Sequence, residues 1–473
     1  MTESSFSFES TKEERNPLGW ILLALLFAIS IFGSTSQYLS GEKPKAEKYT
    51  AEWTQFEQVV STQAMSKSLL KLTSTAEPAQ KGTTKPNTET NLLDSLDPMI
   101  SRISQVRQKD PEAAKLFAAM RTEQGKPLMA EDLVLLEKGS AQDQAFREIY
   151  LATTLTPENE KKLSAKMTGD SFMMRIARVH AAEKAGDKTV RAKEIKASKA
   201  LVMGAITVAA CALLVASLAV WFFYFQARAS GKIVLQGLPL GEITPGMADQ
   251  LALRAGLLFA FFAIGGMAVS TVASRLSAPE RVSTLVLGAL MIIASLTLAT
   301  IPIAGRRIPW KLFGLSTENL GRHILWGVCA WVANIPLVAA AAVLGMTLAN
   351  GLPTPTHPVS EQLMKHQDPK TVLVLLFFGA VAAPIWEEIM FRGMLFPALS
   401  QRLKSLPNAA IMSSFLFAMI HPQGLPLWFA LATIAGMNCA LMNHTRSLVP
   451  SIVLHSLHNF VLLILTVVLG LAG

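Results

Sequence analysis

The chain has 473 residues, of which 51% are hydrophobic and only 16% charged, with a formal net charge of +9. That balance is too apolar for a soluble protein of this length, which leaves room for two or three domains. The basic residues sit in loops beside apolar runs, without aromatic interleaving, a pattern that suits a lipid bilayer as partner and excludes nucleic acid.

The first 17 residues form a polar tail of mixed charge. An apolar run from Leu18 to Gly33 follows, closed by Ser34-Thr35-Ser36. Its long n-region contains Glu13 and Glu14, so residues 18–36 read as a membrane anchor rather than a cleaved signal peptide. Residues 37–200 are rich in Glu, Gln, Lys and Ala and read as a soluble helical domain. Within it, Ala113, Leu116, Phe117 and Met120 fall at helical spacing behind Asp110-Pro111, an N-cap followed by proline at the first helical position. Thr156-Pro157 opens another helix, and Thr73 to Asn91 reads as a flexible linker. No polar cluster in this domain suggests chemistry. Its expected role is to bind a protein partner that the sequence does not identify.

From Leu201 onward the chain is membrane-like. Spans are expected near 201–225, 251–273, 283–304, 323–349, 371–391, 408–421, 425–443 and 448–471, most of them near the ~20 residues that cross a hydrocarbon core about 30 Å thick. With the first run they make about nine. The predicted fold class is therefore all-α, a polytopic transmembrane helical bundle with a soluble helical insert between spans 1 and 2. Cys211, Cys329 and Cys439 each lie in an apolar run with no CxxC pair, which excludes a disulfide framework and a structural zinc site. Orientation is read in two ways. Arg306, Arg307, Lys311, Arg402, Lys404 and Arg446 occupy loops that share a face, cytoplasmic by the positive-inside rule, which puts the insert outside. The run of basic residues from Lys184 to Lys199 enters the second span directly and argues for the insert being inside.

Three segments carry polar residues into these runs. The first is Glu387-Glu388, with Arg392 four residues beyond Glu388. An ionisable side chain at the centre of a membrane helix costs roughly 2.5–3.5 kcal/mol on insertion scales, so an adjacent pair needs a reason. Glu388 and Arg392 lie at i,i+4 and can pair, whereas Glu387 points about 100° away and stays free. The second segment ends at His421, four residues after Phe417; the third sets His455 and Asn459 on one helical face, with His458 at its flank. Taken singly, each segment has a structural reading: a solvated helix end, an interfacial histidine, an interhelical hydrogen bond. Together they can line one polar cavity containing a carboxylate base, imidazoles, an amide donor and a paired arginine. Such an inventory suits amide hydrolysis by an activated water, because a carboxylate held away from water accepts a proton readily and His and Asn can donate to a developing oxyanion.

EExxxR at Glu387-Glu388-Arg392, FxxxH at Phe417-His421 and HxxxN at His455-Asn459 occur in that order on separate segments. This pattern resembles the CPBP family, the CAAX proteases and bacteriocin-processing enzymes that include the type II CAAX prenyl endopeptidases. The likeness covers residues 310–473, the expected protease core, with 201–309 as additional membrane helices and 37–200 outside it. The resemblance implies a helical membrane bundle in which Glu387 and His421 position and activate water, His455 and Asn459 form an oxyanion site, and Glu388 and Arg392 support them. It implies a membrane-associated protein or peptide as substrate, no cofactor, and a multi-pass location in a bacterial inner membrane. The alternatives are a zinc enzyme using Glu387, His421 and His455, for which no HExxH motif exists, and a non-catalytic scaffold or immunity protein of the same family. A proton-coupled transporter would show broken helices in two inverted halves, whereas the polar residues here cluster in the C-terminal third.

Overall fold

The structure, a computed structural model, describes residues 16–39, 49, 52–53, 55–64, 92–169, 171–195, 197–238, 240–303, 308–315, 318–349, 357–365 and 368–472. The linker read at Thr73–Asn91 and the basic pair Arg306 and Arg307 lie outside the described residues. Among the described residues there are helices and no β-strand. The chain separates into two compact units, one formed by Met1–Pro44 with Ala209–Gly470 and the other centred on Lys45–Val208.

The second unit is a cluster of short helices. Beyond a helical stretch at 55–64, its main elements are α2 (Asp97–Ser104), α3 (Pro111–Glu123), α4 (Ala141–Leu151), α5 (Pro157–Ser164), α6 (Phe172–Lys184) and α7 (Thr189–Glu194). Side-chain caps set their starts: Asp110 accepts from the backbone of Glu112, Ser140 from Asp143 and Thr156 from Asn159. Phe56, Leu116, Phe146, Ile149 and Ile176 fill the core with at most 1% exposure.

A buried polar junction ties α3, α4, α6 and α7 together. Glu123 accepts from Arg191 at 2.8 and 3.2 Å and from His180 Nε2 at 2.9 Å, while the Tyr150 hydroxyl lies 2.8 Å from His180 Nδ1. Burial alone would raise the Glu123 carboxyl, but His180 and Arg191 outweigh it and hold it at about 2 instead of 4.5. A carboxylate whose folded-state value is depressed adds stability above its unfolded value and loses it as pH falls through the folded one. Here that contribution is on the order of 3 kcal/mol. Hydrogen-exchange protection of α3 and α6 relative to the intrinsic rate, in the intact protein, is expected to stay high from pH 7 to about 4.5 and to fall between about 4.5 and 2. Protection unchanged over that window would show that the junction does not hold the unit together.

The first unit contains the apolar helices. They are α1 (Leu18–Leu39), α8 (Ala197–Ala229), α9 (Pro245–Arg275), α10 (Glu280–Thr300), α11 (Leu320–Leu348), the short α12 (Pro358–Lys365), α13 (Pro369–Leu403), α14 (Leu406–Met419), α15 (Leu425–Thr445) and α16 (Val449–Ala472). Eight of them are long and apolar enough to cross a membrane. The run expected at 408–421 is not among these. As α14 it has 14 residues, about 21 Å of helix, against a core of about 30 Å. Ser405 caps its start with Pro407 in the first turn, and the turn before Leu425, with Gly424 at φ 70°, follows its end at Met419. It still runs from the end of α13 to the C-terminal part of α1, where the Ser34 hydroxyl donates to the Met419 carbonyl at 2.9 Å.

Two close helix contacts depend on glycine. A Cβ at Gly19 would lie 2.3 Å from the Leu253 backbone nitrogen, and one at Gly345 would lie 2.3 Å from the Pro426 carbonyl oxygen. Small residues let membrane helices approach at backbone distance, here α1 against α9 and α11 against α15. Polar side chains seal other joints. Asp249 accepts from Trp20 Nε1 at 2.8 Å and from the Asn16 backbone at 3.1 Å, and Arg254 donates to the carbonyls of Leu298 and Ile301 that close α10.

Candidate active site

At the centre of the bundle, α13 continues twelve residues past the expected end at Phe391, because Glu388 and Arg392 are fully buried and paired rather than marking a helix end in water. Glu387 and Glu388 occupy an α-helical stretch, Ala383–Glu388, between two π-helical segments, Phe378–Ala382 and Ile389–Leu395. Such wide turns are frequent at functional sites. The first of them presents a free carbonyl: Asn459 Nδ2 on α16 donates to Gly379 O at 2.8 Å.

The two glutamates have opposite surroundings. Glu388 Oε1 accepts three hydrogen bonds, from Arg392 Nη1 at 2.9 Å, Asn438 Nδ2 at 2.9 Å and His455 Nδ1 at 2.8 Å. The positive charge of Arg392 balances that carboxylate locally. Glu387 Oε2 is buried and has no hydrogen-bond partner among the described residues. Two imidazole nitrogens face it at longer range, His455 Nε2 at 3.6 Å and His421 Nε2 at 4.0 Å. Side chains from α13, the end of α14 and α16 therefore meet around one carboxylate oxygen.

Hydrogen-bond partners fix which ring nitrogens carry protons. His421 Nδ1 lies 2.6 Å from the Phe417 carbonyl, which can only accept, so Nδ1 is the donor. In the neutral ring the Nε2 lone pair then points toward Glu387. His455 Nδ1 faces the Glu388 carboxylate and likewise donates.

Phe417, the first residue of FxxxH, contacts three members of the group. Its ring lies 4.6 Å from the His421 ring, 5.6 Å from the His455 ring and 4.7 Å from the Arg392 guanidinium carbon. The last contact has cation–π geometry and helps hold an arginine that has no water around it. On another flank, Val359 and Leu363 of α12 pack with Leu375 and Leu463, walling off the α13–α16 seam. Among the described residues no hydrogen bond joins His458 to the cluster. Asn438 is the participant that sequence reasoning missed. Its signal was a single amide in the apolar stretch Gly436-Met437-Asn438-Cys439-Ala440, with no motif around it.

Among the described residues, no group of three or more His, Cys, Asp or Glu side chains is arranged to hold a metal ion. No step below runs through a metal.

Residues 369–461 match the family described as Rce1-like type II CAAX prenyl endopeptidases. The matched segment runs from the start of α13 into α16 and contains all three motifs, in agreement with the CPBP resemblance. No curated protein and no solved structure matches the chain. Eight apolar helices together with this match over residues 369–461 support an integral, multi-pass membrane protein with a segment similar to a membrane-protease family.

Proposed function

We propose that the chain is an intramembrane endopeptidase of a bacterial inner membrane, which hydrolyses a peptide bond of a membrane-associated protein or peptide with a water activated by Glu387 and His421. The observation that carries this reading is the buried, unpartnered Glu387 Oε2 with two imidazole nitrogens 3.6 and 4.0 Å away.

A separation of 4.0 Å is too long for a direct hydrogen bond and suits one bridging water. Both flanking atoms, Glu387 Oε2 and the lone pair of His421 Nε2, are acceptors, so the water turns its two protons to them and a lone pair outward. As that oxygen bonds to the scissile carbonyl carbon, Glu387 takes one proton. The carbonyl oxygen becomes an oxyanion. The remaining N–H of Asn459 Nδ2 can donate to it, and so can His455 Nε2 when the ring carries both protons and its charge lies between two carboxylates. Glu387 then passes its proton to the departing amine as the C–N bond breaks. Glu388 takes the supporting role, because Arg392 balances its charge and its Oε1 holds His455, while its Oε2 has no hydrogen-bond partner among the described residues.

The reaction assigned here uses no metal. Comparative proteomics of membranes holding the wild type or Glu387→Gln is expected to reveal fragments produced only by the wild type. Their production by purified protein is expected to persist after prolonged treatment with strong chelators. Identical peptide sets from the two membranes would overturn the protease reading. Loss under chelation with rescue by zinc would replace the glutamate mechanism with a metal one.

A further inference from the structure

Three donors converge on Glu388 Oε1, and two of them, Arg392 and His455, belong to the motifs. The third, Asn438, comes from α15, a helix that carries none of the motif residues. We propose that Asn438 is a positioning residue for the hydrolysis, acting through Glu388 to hold His455 against the Glu387 site. This inference rests on the protease reading above.

Chemistry fixes the orientation of the amide. Glu388 as a carboxylate can only accept, so the atom 2.9 Å away must be Nδ2; the flipped amide would set two acceptor oxygens against each other. Asn438 and Glu388 are both fully buried, so no water can take over the bond. The geometry continues in one line. Asn438 fixes Oε1, Oε1 holds His455 Nδ1 at 2.8 Å, and the opposite ring nitrogen then stands 3.6 Å from Glu387 Oε2. Arg392 reaches Oε1 from the next turn of the same helix, so Asn438 and His455 are the groups that tie this oxygen to other helices.

Bundle stability is a poor explanation for the amide. Its Oδ1 is buried and has no hydrogen-bond partner among the described residues. A half-satisfied amide in an apolar helix contributes little net stability, because the orphaned acceptor costs about as much as the donated bond returns. Leucine would fill the same volume without that cost.

The test measures cleavage by purified, full-length protein using a peptide substrate found by the proteomic comparison, with wild type and Glu387→Gln as references. Asn438→Leu is expected to lower kcat about 10- to 100-fold with little change in KM, and to melt no lower than wild type. Asn438→Asp keeps the shape but donates only when protonated, so its activity is expected to climb toward the wild-type level as pH is lowered, while Asn438→Leu stays low throughout. Wild-type kcat in Asn438→Leu, or a wild-type pH profile in Asn438→Asp, would overturn the inference while leaving the protease reading intact. Absence of cleavage by the wild type itself would overturn both.

Discussion

Glu387→Gln is expected to lower kcat by at least about 10³-fold while the protein remains folded and inserted. The magnitude follows from the role. A positioned general base contributes roughly 10²–10⁴-fold, and no neighbour is placed to substitute for this one. Glu388 has its charge balanced by Arg392 and its Oε1 engaged by three donors, and His421 Nε2 lies on the far side of the 4.0 Å gap with its other nitrogen tied to the Phe417 carbonyl. Glutamine keeps the volume and can still touch the water, but it cannot take the proton. Stability is expected to hold or rise slightly, since Glu387 Oε2 makes no hydrogen bond that the change would break. Steady-state cleavage of one peptide, alongside thermal unfolding in detergent, separates the two effects. Turnover within tenfold of wild type would remove Glu387 from the chemistry.

The sequence made this site legible because ionisable side chains are rare inside apolar runs, so each one is conspicuous. Glu387, Glu388, Arg392, His421, His455 and Asn459 could all be singled out before any coordinates. Asn438 could not, because one amide among small apolar residues carries no spacing signal; its partner is 50 positions away on another helix. The extent of α13 was hidden for a related reason. Charged residues end a hydropathy run on paper, whereas in the fold Glu388 and Arg392 neutralise each other and the helix continues to Leu403. Each π-helical segment beside the glutamates is followed two residues on by a proline, Pro384 and Pro397, which lacks an N–H, but a proline in an apolar run does not by itself announce a wide turn. In the helical unit, proline and its preceding cap announced α3 and α5, because capping is local chemistry. The Glu123 junction was invisible because it joins residues 57 and 68 positions apart.

Arg392→Leu is expected to be the most damaging change to the fold. Arg392 and Glu388 are each 0% exposed, so the leucine variant leaves a carboxylate in the bundle with two neutral-capable donors and no fixed cation. Removing one partner of a buried pair typically costs about 3–5 kcal/mol, which is comparable to the whole stability of many domains. The stacking of the guanidinium on Phe417 is lost as well. Arg392→Lys keeps the charge but not the planar group that lies over that ring, so an intermediate loss is expected. The double variant Arg392→Leu with Glu388→Gln separates charge from shape. It removes both buried charges together, and its melting temperature in detergent is expected to recover most of what the single variant lost. It is also expected to remain inactive, because a neutral glutamine amide in place of the Glu388 carboxylate holds His455 Nδ1 more weakly and leaves its ring free to turn. A single Arg392→Leu variant as stable as wild type would mean that Asn438 and His455 alone neutralise Glu388. A double variant with normal turnover would mean that His455 needs no anionic partner to hold it beside Glu387.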